Sequence, residues 1–133
     1  DDDSFKLYIS TMLEGKDSQF LELEEEDFDT ILANDITFSG TIRFSKPFMI
    51  KGTVTGLIEA TSDLVIDNEA AVFADIIAER VLVRGKVEGN IKAKRLVFVT
   101  ANGSVIGDIS SAQVVLEPGS TFTGRCVMTG DGQ

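Results

Sequence analysis

From about residue 36 the chain alternates apolar and polar side chains with a period of two, and the helical period of 3.6 is absent. One frame recurs through this stretch: apolar, x, small, x, apolar, x, apolar or small. It reads Phe38-Gly40-Ile42-Phe44, Val54-Gly56-Ile58-Ala60, Val72-Ala74-Ile76-Ala78, Val87-Gly89-Ile91-Ala93, Val105-Gly107-Ile109-Ser111 and Phe122-Gly124-Cys126-Met128. Successive copies begin 16, 18, 15, 18 and 17 residues apart. Between them lie the β-prone triplets FMI, LVI, VLV, LVF and VVL, followed by turn-forming strings such as DNEA, TANG and EPGS. Each repeat therefore predicts a short strand, a turn and a longer alternating strand.

A repeat of this length is too short for helical repeats, which need roughly 33 residues, and matches one coil of a β-solenoid. Stacked at about 4.8 Å, six coils make a rod roughly 29 Å long. The expected fold class is all-β, a parallel β-helix of about six coils. Apolar columns should run through it, Phe38 to Phe122 and Ile42 to Cys126, with Cys126 in the core. The small column from Gly40 to Gly124 is read as a narrow place where the opposite wall comes close.

The first quarter departs from this pattern. SFKLYIS alternates like a strand. DSQFLELEEEDFDTIL places Phe20, Leu23, Phe28, Ile31 and Leu32 on one helical face, with Asp17 or Ser18 as its cap. Of the net charge of −10, residues 1–35 carry all ten units, with twelve acidic side chains against Lys6 and Lys16. Residues 36–128 hold nine acidic and ten basic groups, which argues against nucleic acid as a partner. The expected organisation is an acidic arm over residues 1–35, capping the open first coil, then a β-helix over 36–129 and a short tail over 130–133.

The chemistry-bearing residues are few. Gly85, Gly89 and the lysines of VRGKVEGNIKA suggest a phosphate loop, but neither GxxxxGK[ST] nor GxGxxG occurs, and the glycine slot recurs in five of six copies. The chain has no histidine, which removes Ser-His and Cys-His pairs and the commonest metal ligand. One cysteine forms no internal disulfide and suits a reducing compartment. The acidic run at 22–29 lacks the spacing of a calcium loop. No catalytic residue, cofactor or metal site is therefore expected. Two surfaces remain. Arg80, Arg84, Lys86, Lys92, Lys94 and Arg95 would gather by stacking into a basic patch, to dock the acidic arm or an anionic surface. Phe38, Phe44 and Phe48 at one end, with Phe122, Val127 and Met128 at the other, would form a polymerisation interface.

The strings ITFSGTI, IKGTVTGLIEA, RVLVRGKVEGNIKA, GSVIGDI and above all EPGSTFTGRCVM resemble the bactofilin family of bacterial cytoskeletal proteins, over essentially the whole repeat region. The resemblance implies a right-handed parallel β-helix that assembles end to end into non-polar filaments without nucleotide. It implies a non-enzymatic scaffold for cell shape or cell-wall machinery, with itself as main partner and cell-wall enzymes or envelope proteins as further ones. The expected location is the cytoplasm, with the inner face of the membrane as a further option. DDDSFKLYIS departs from the hydrophobic, basic membrane-targeting peptide of many family members. Two rival readings are a monomeric capped solenoid that acts as a binding module, and a left-handed β-helix acyltransferase. The second is disfavoured by the missing histidine and the irregular repeat length.

Overall fold

The structure, a computed structural model, describes residues 30–129. Every regular element in that range is a strand: β1 (Thr30–Leu32), β2 (Thr37–Phe44), β3 (Phe48–Ile50), β4 (Thr53–Ala60), β5 (Leu64–Ile66), β6 (Ala71–Val83), β7 (Lys86–Glu88), β8 (Ile91–Val99), β9 (Ser104–Ile106), β10 (Ile109–Leu116), β11 (Thr121–Thr123) and β12 (Cys126–Met128). All their pairings are parallel. The registers stack these strands into a solenoid with three walls. Wall 1 begins with Thr37, Thr53, Ala71, Lys86, Ser104 and Thr121 in successive coils. Wall 2 begins with Ile42, Ile58, Ile76, Ile91, Ile109 and Cys126. Wall 3 begins with Thr30, Phe48, Leu64, Val81, Val97 and Val114. Six coils result, as the repeat count predicts.

Alternation along each strand turns every second side chain inward. Val54, Val72, Val87 and Val105 from wall 1, Ile58, Ile76 and Ile91 from wall 2, and Ile50, Ile66, Val83 and Val99 from wall 3 are all fully buried. They form one continuous core.

The uneven repeat length has its cause at the corners. The passage from wall 3 to wall 1 takes either two residues, as at Lys51-Gly52 and Arg84-Gly85, or four, as at 67–70, 100–103 and 117–120. The four-residue corners are hydrogen-bonded β-turns, with Ala70 N–H donating to Asp67 O, Gly103 to Thr100 and Ser120 to Glu117. The passage from wall 2 to wall 3 also varies by one residue, which leaves register shifts beside Glu79 and Ala112. The three walls stay constant while the corners change length.

The structure corrects the reading of the glycine column. Gly56, Gly89, Gly107 and Gly124 sit at the bend between walls 1 and 2 with φ of +130°, +151°, +141° and +145°. A Cβ on any of them would not meet an opposite wall. It would drive into the backbone carbonyl of the same column in the preceding coil; at Gly89 it would lie 2.7 Å from the Ala74 carbonyl carbon. The constraint acts along the rod, between stacked coils, and not across it. Beside this column runs a ladder of side-chain acceptors. Asp75 Oδ1 accepts from Asn90 N–H at 3.0 Å, Asn90 Oδ1 from Asp108 N–H at 3.0 Å, and Asp108 Oδ1 from Arg125 N–H at 3.1 Å. Because the bend turns these amides away from the main-chain ladder, the side chain below satisfies them.

The solenoid also starts earlier than residue 36. Thr30, Ile31 and Leu32 pair with Phe48, Met49 and Ile50 as the first strand of wall 3. Ile31 and Leu32 are thus strand residues and not the end of an amphipathic helix, because their apolar pair completes the same triplet that FMI and LVI complete later. Residues 33–35 of the expected arm form the first corner, where Ile36 N–H donates to Ala33 O. The rest of the expected helix and arm, residues 1–29, lies outside the described residues.

Candidate self-association surfaces at the two ends

The core columns close in the middle of the rod and open at its ends. In wall 1, Val54, Val72, Val87 and Val105 are fully buried, while Phe38 before them and Phe122 after them are only partly covered. In wall 2, Ile58, Ile76 and Ile91 are fully buried and Ile109 is 1% exposed, while Ile42 is partly covered and Cys126 is exposed. Cys126 keeps the inward register position opposite Ile109. The expectation of a core cysteine fails because no further coil covers it. Around it, Val127 and Met128 are 55% and 58% exposed, and Leu116 is also open.

The first-coil end is built differently. Phe38 and Phe44 lie in β2, paired only to β4. Phe48 lies one coil further in, buried in β3 beneath Thr30. Its ring stands 4.7 Å from that of Phe44, so Phe48 supports the end surface from below. The six residues picked from sequence therefore fall as two end groups, with Phe38 and Phe44 at the first coil, Phe122, Val127 and Met128 at the last, and Phe48 behind the first. Ile42, Cys126 and the exposed Ile36 belong with them but were missed. Their signal was available: each occupies an inward register position, or its corner, in a terminal copy of the repeat. At both ends β2 and β12 also have one strand neighbour each, so their outer main-chain groups face away from the rod.

The basic residues do not gather into one patch. Lys86 lies on wall 1, pairs with Glu88 at 3.1 Å and sits 5.7 Å over the Phe73 ring. Lys92 and Lys94 are exposed on and just beyond wall 2. Arg80, Arg84 and Arg95 border wall 3. Arg80 grips Asp63 through two bonds, Nε to Oδ1 at 2.9 Å and Nη2 to Oδ2 at 2.5 Å, with both side chains largely buried. Arg84 approaches Asp67 at 3.8 Å. Stacking brings Arg80 and Arg84 above carboxylates 17 residues earlier, and the six basic residues spread over three walls.

No cluster of three or more His, Cys, Asp or Glu side chains suited to a metal occurs among the described residues. Among the described residues no helix is long and apolar enough to cross a membrane. A shallow concavity beside Arg43, Phe44, Glu59 and Ile77 is crossed by the Arg43–Glu59 ion pair at 2.7 Å.

A parallel β-solenoid whose apolar core opens at both described ends defines the class: a module shaped to be continued by another of its kind. The family model for bactofilins, described as polymer-forming cytoskeletal, matches residues 30–127, and the chain belongs to that family. Two relatives come from Myxococcus xanthus. The chain is 31% identical to bactofilin BacO over 100 residues, 75% of this chain and 79% of BacO. It is 29% identical to bactofilin BacP over 100 residues, which is 42% of that longer protein. The fold also matches a solved bactofilin of Thermus thermophilus, reconstructed by cryo-electron microscopy as double helical filaments. That match has a TM-score of 0.71 at 24% identity and covers 74% of this chain and 98% of the other.

Proposed function

We propose that the chain is a non-enzymatic scaffold subunit that polymerises with itself end to end. The carrying observation is the contrast within the leading core columns of walls 1 and 2, buried through four coils and open at the first and last. Stacking another copy on either end removes apolar surface from water and supplies partners to the strand edges. Neither gain calls for a nucleotide. Family membership supports a cytoskeletal role, and by analogy with it the filaments organise cell shape or cell-wall machinery from the cytoplasmic side of the envelope. Cell-wall enzymes and envelope proteins are the further partners that this role implies.

The test is negative-stain electron microscopy of purified chain carrying Phe122→Arg or Met128→Arg. Either substitution places a charge in the last-coil contact with no partner. Filaments should disappear while the unfolding free energy from urea titration stays within about 1 kcal/mol of the parent value, as befits changes confined to a terminal repeat. Filaments of normal length from both variants would remove the last coil from the contact.

A further inference from the structure

Wall 3 differs from the other two on its outer side. In walls 1 and 2, outward apolar residues are open to solvent: Phe73 is 39% exposed, Ile77 44% and Ile106 44%. In wall 3 the middle residue of each triplet points outward by the same alternation, yet Met49 is 2% exposed, Val65 0%, Leu82 1% and Phe98 4%. Leu96, at the edge of the wall, is fully buried as well. These five form a second apolar cluster, separate from the core, which continues to Ile31 and Val115 in the first and last coils. Side chains this closed to solvent on the outside of a sheet require a cover that wall 3 does not itself supply.

We propose that the chain's own acidic segment, residues 1–29, lies along this stripe as a strap, and not over the end of the first coil. Three observations select it over other occupants. The segment joins the rod at Thr30, in the wall that carries the stripe, and the next residue, Ile31, is the first member of the stripe. Its length suffices: five coil spacings are about 24 Å, and even a helix of 29 residues reaches about 43 Å. Its chemistry fits as well. It carries Phe20, Leu21, Leu23 and Phe28 among eleven acidic side chains and two lysines. The stripe is bordered by Arg80 and Arg95 with Asp63 on one edge, and by Lys51 and Arg84 with Asp67 and Glu117 on the other. An apolar stripe with basic margins matches an apolar segment with acidic flanks. The strap would leave both ends free to stack while closing the side of the rod to lateral contact with a second copy. The inference is independent of the end-to-end reading, since it concerns a different surface.

The test is zero-length carbodiimide coupling on the full chain, mixed one to one with isotopically heavy chain and mapped by mass spectrometry. The expected products are amide links from acidic residues 22–29 to Lys94, at the corner that leads through Leu96 into the fifth strand of wall 3, joining residues of one chain. Leu82→Glu places a charge in the middle of the stripe, and Phe20→Ser with Leu23→Ser weakens the strap without touching the rod. Each should lower these links by about tenfold or more relative to the parent, since an outward charge or a lost apolar pair removes at least the equivalent of a tenfold preference. Links formed equally between heavy and light chains would assign the stripe to a second copy and overturn the proposal. Links absent from the parent, or unchanged in the strap variant, which leaves the rod intact, would overturn it too.

Discussion

The glycine column offers a sharp test of how the coils fit together, because its members share a backbone conformation but not a neighbour. Gly40, Gly89 and Gly124 have φ of +136°, +151° and +145°. Alanine at any of them costs about 1–3 kcal/mol in backbone strain. At Gly40 nothing further is lost, since its Cβ would lie 3.6 Å from the Phe38 ring in ordinary contact. At Gly89 and Gly124 the new methyl would stand 2.7 and 2.6 Å from a carbonyl carbon of the coil below, with the oxygen closer still. Relief requires that coil to move by about half an ångström or more. That loosens main-chain bonds such as Ile76 N–H to Asn90 O at 2.8 Å for Gly89, or Gly107 N–H to Thr123 O at 2.8 Å for Gly124. With about 1 kcal/mol for each of two such bonds, Gly89→Ala and Gly124→Ala should cost about 2 kcal/mol more than Gly40→Ala. Urea unfolding of dispersed chain, followed by circular dichroism, measures the difference. Gly40 and Gly124 both lie in terminal coils, so fraying does not distinguish them. Equal losses at these two positions would refute the close stacking of coil on coil as the reason for glycine.

Asp63→Ala should lower stability by about 3 kcal/mol, because it leaves the largely buried Arg80 guanidinium without its two-point carboxylate partner; a loss below about 1 kcal/mol in the same urea assay would mean that water compensates the pair. Cys126, exposed on the last coil, should react with a maleimide quickly in dispersed chain and at least about tenfold more slowly in filaments, as expected for a thiol gated by access. Equal rates in the two states, read by mass shift, would place the last coil outside the filament contact.

Much of the fold was legible because a β-solenoid writes its registers into the chain. The frame starting at Phe38 already aligned the six residues that the structure stacks in wall 1, and the FMI and LVI triplets marked wall 3. The errors arose where one residue pattern admits two geometries. Ile31 and Leu32 fit a helix face or a strand triplet equally well, and only pairing with Met49 and Ile50 decides. The small column signalled a close approach, but alternation alone does not show whether a neighbour lies across the rod or along it. Cys126 was correctly assigned to a column, yet burial depends on whether another coil follows. The basic residues were close in sequence, but three walls per coil send neighbours in sequence to different sides. The outer stripe of wall 3 was visible only as β-prone triplets, since the chain does not state which middle residues are covered.

The two ends are unlike in a way that bears on filament polarity. Each column glycine leaves space toward the coil before it, so Gly40 presents an unfilled slot on the first-coil end, while Gly124 presents its carbonyl on the last. A head-to-tail junction could continue the parallel ladder and seat the Gly124 carbonyl of one copy in the Gly40 slot of the next. A junction between like ends instead faces Phe38, Ile42 and Phe44 with the same residues, or Phe122, Cys126 and Met128 with theirs, in a two-fold contact. The latter buries more matched apolar surface but leaves the Gly40 slot without a carbonyl. Because Gly40→Ala disturbs the free rod least, the same variant reads the polarity: head-to-tail filaments would fail through the clash that Gly124 meets within the chain, and like-ended filaments have no Gly124 carbonyl at that place. The non-polar arrangement implied by the resemblance therefore requires that Gly40→Ala still polymerise.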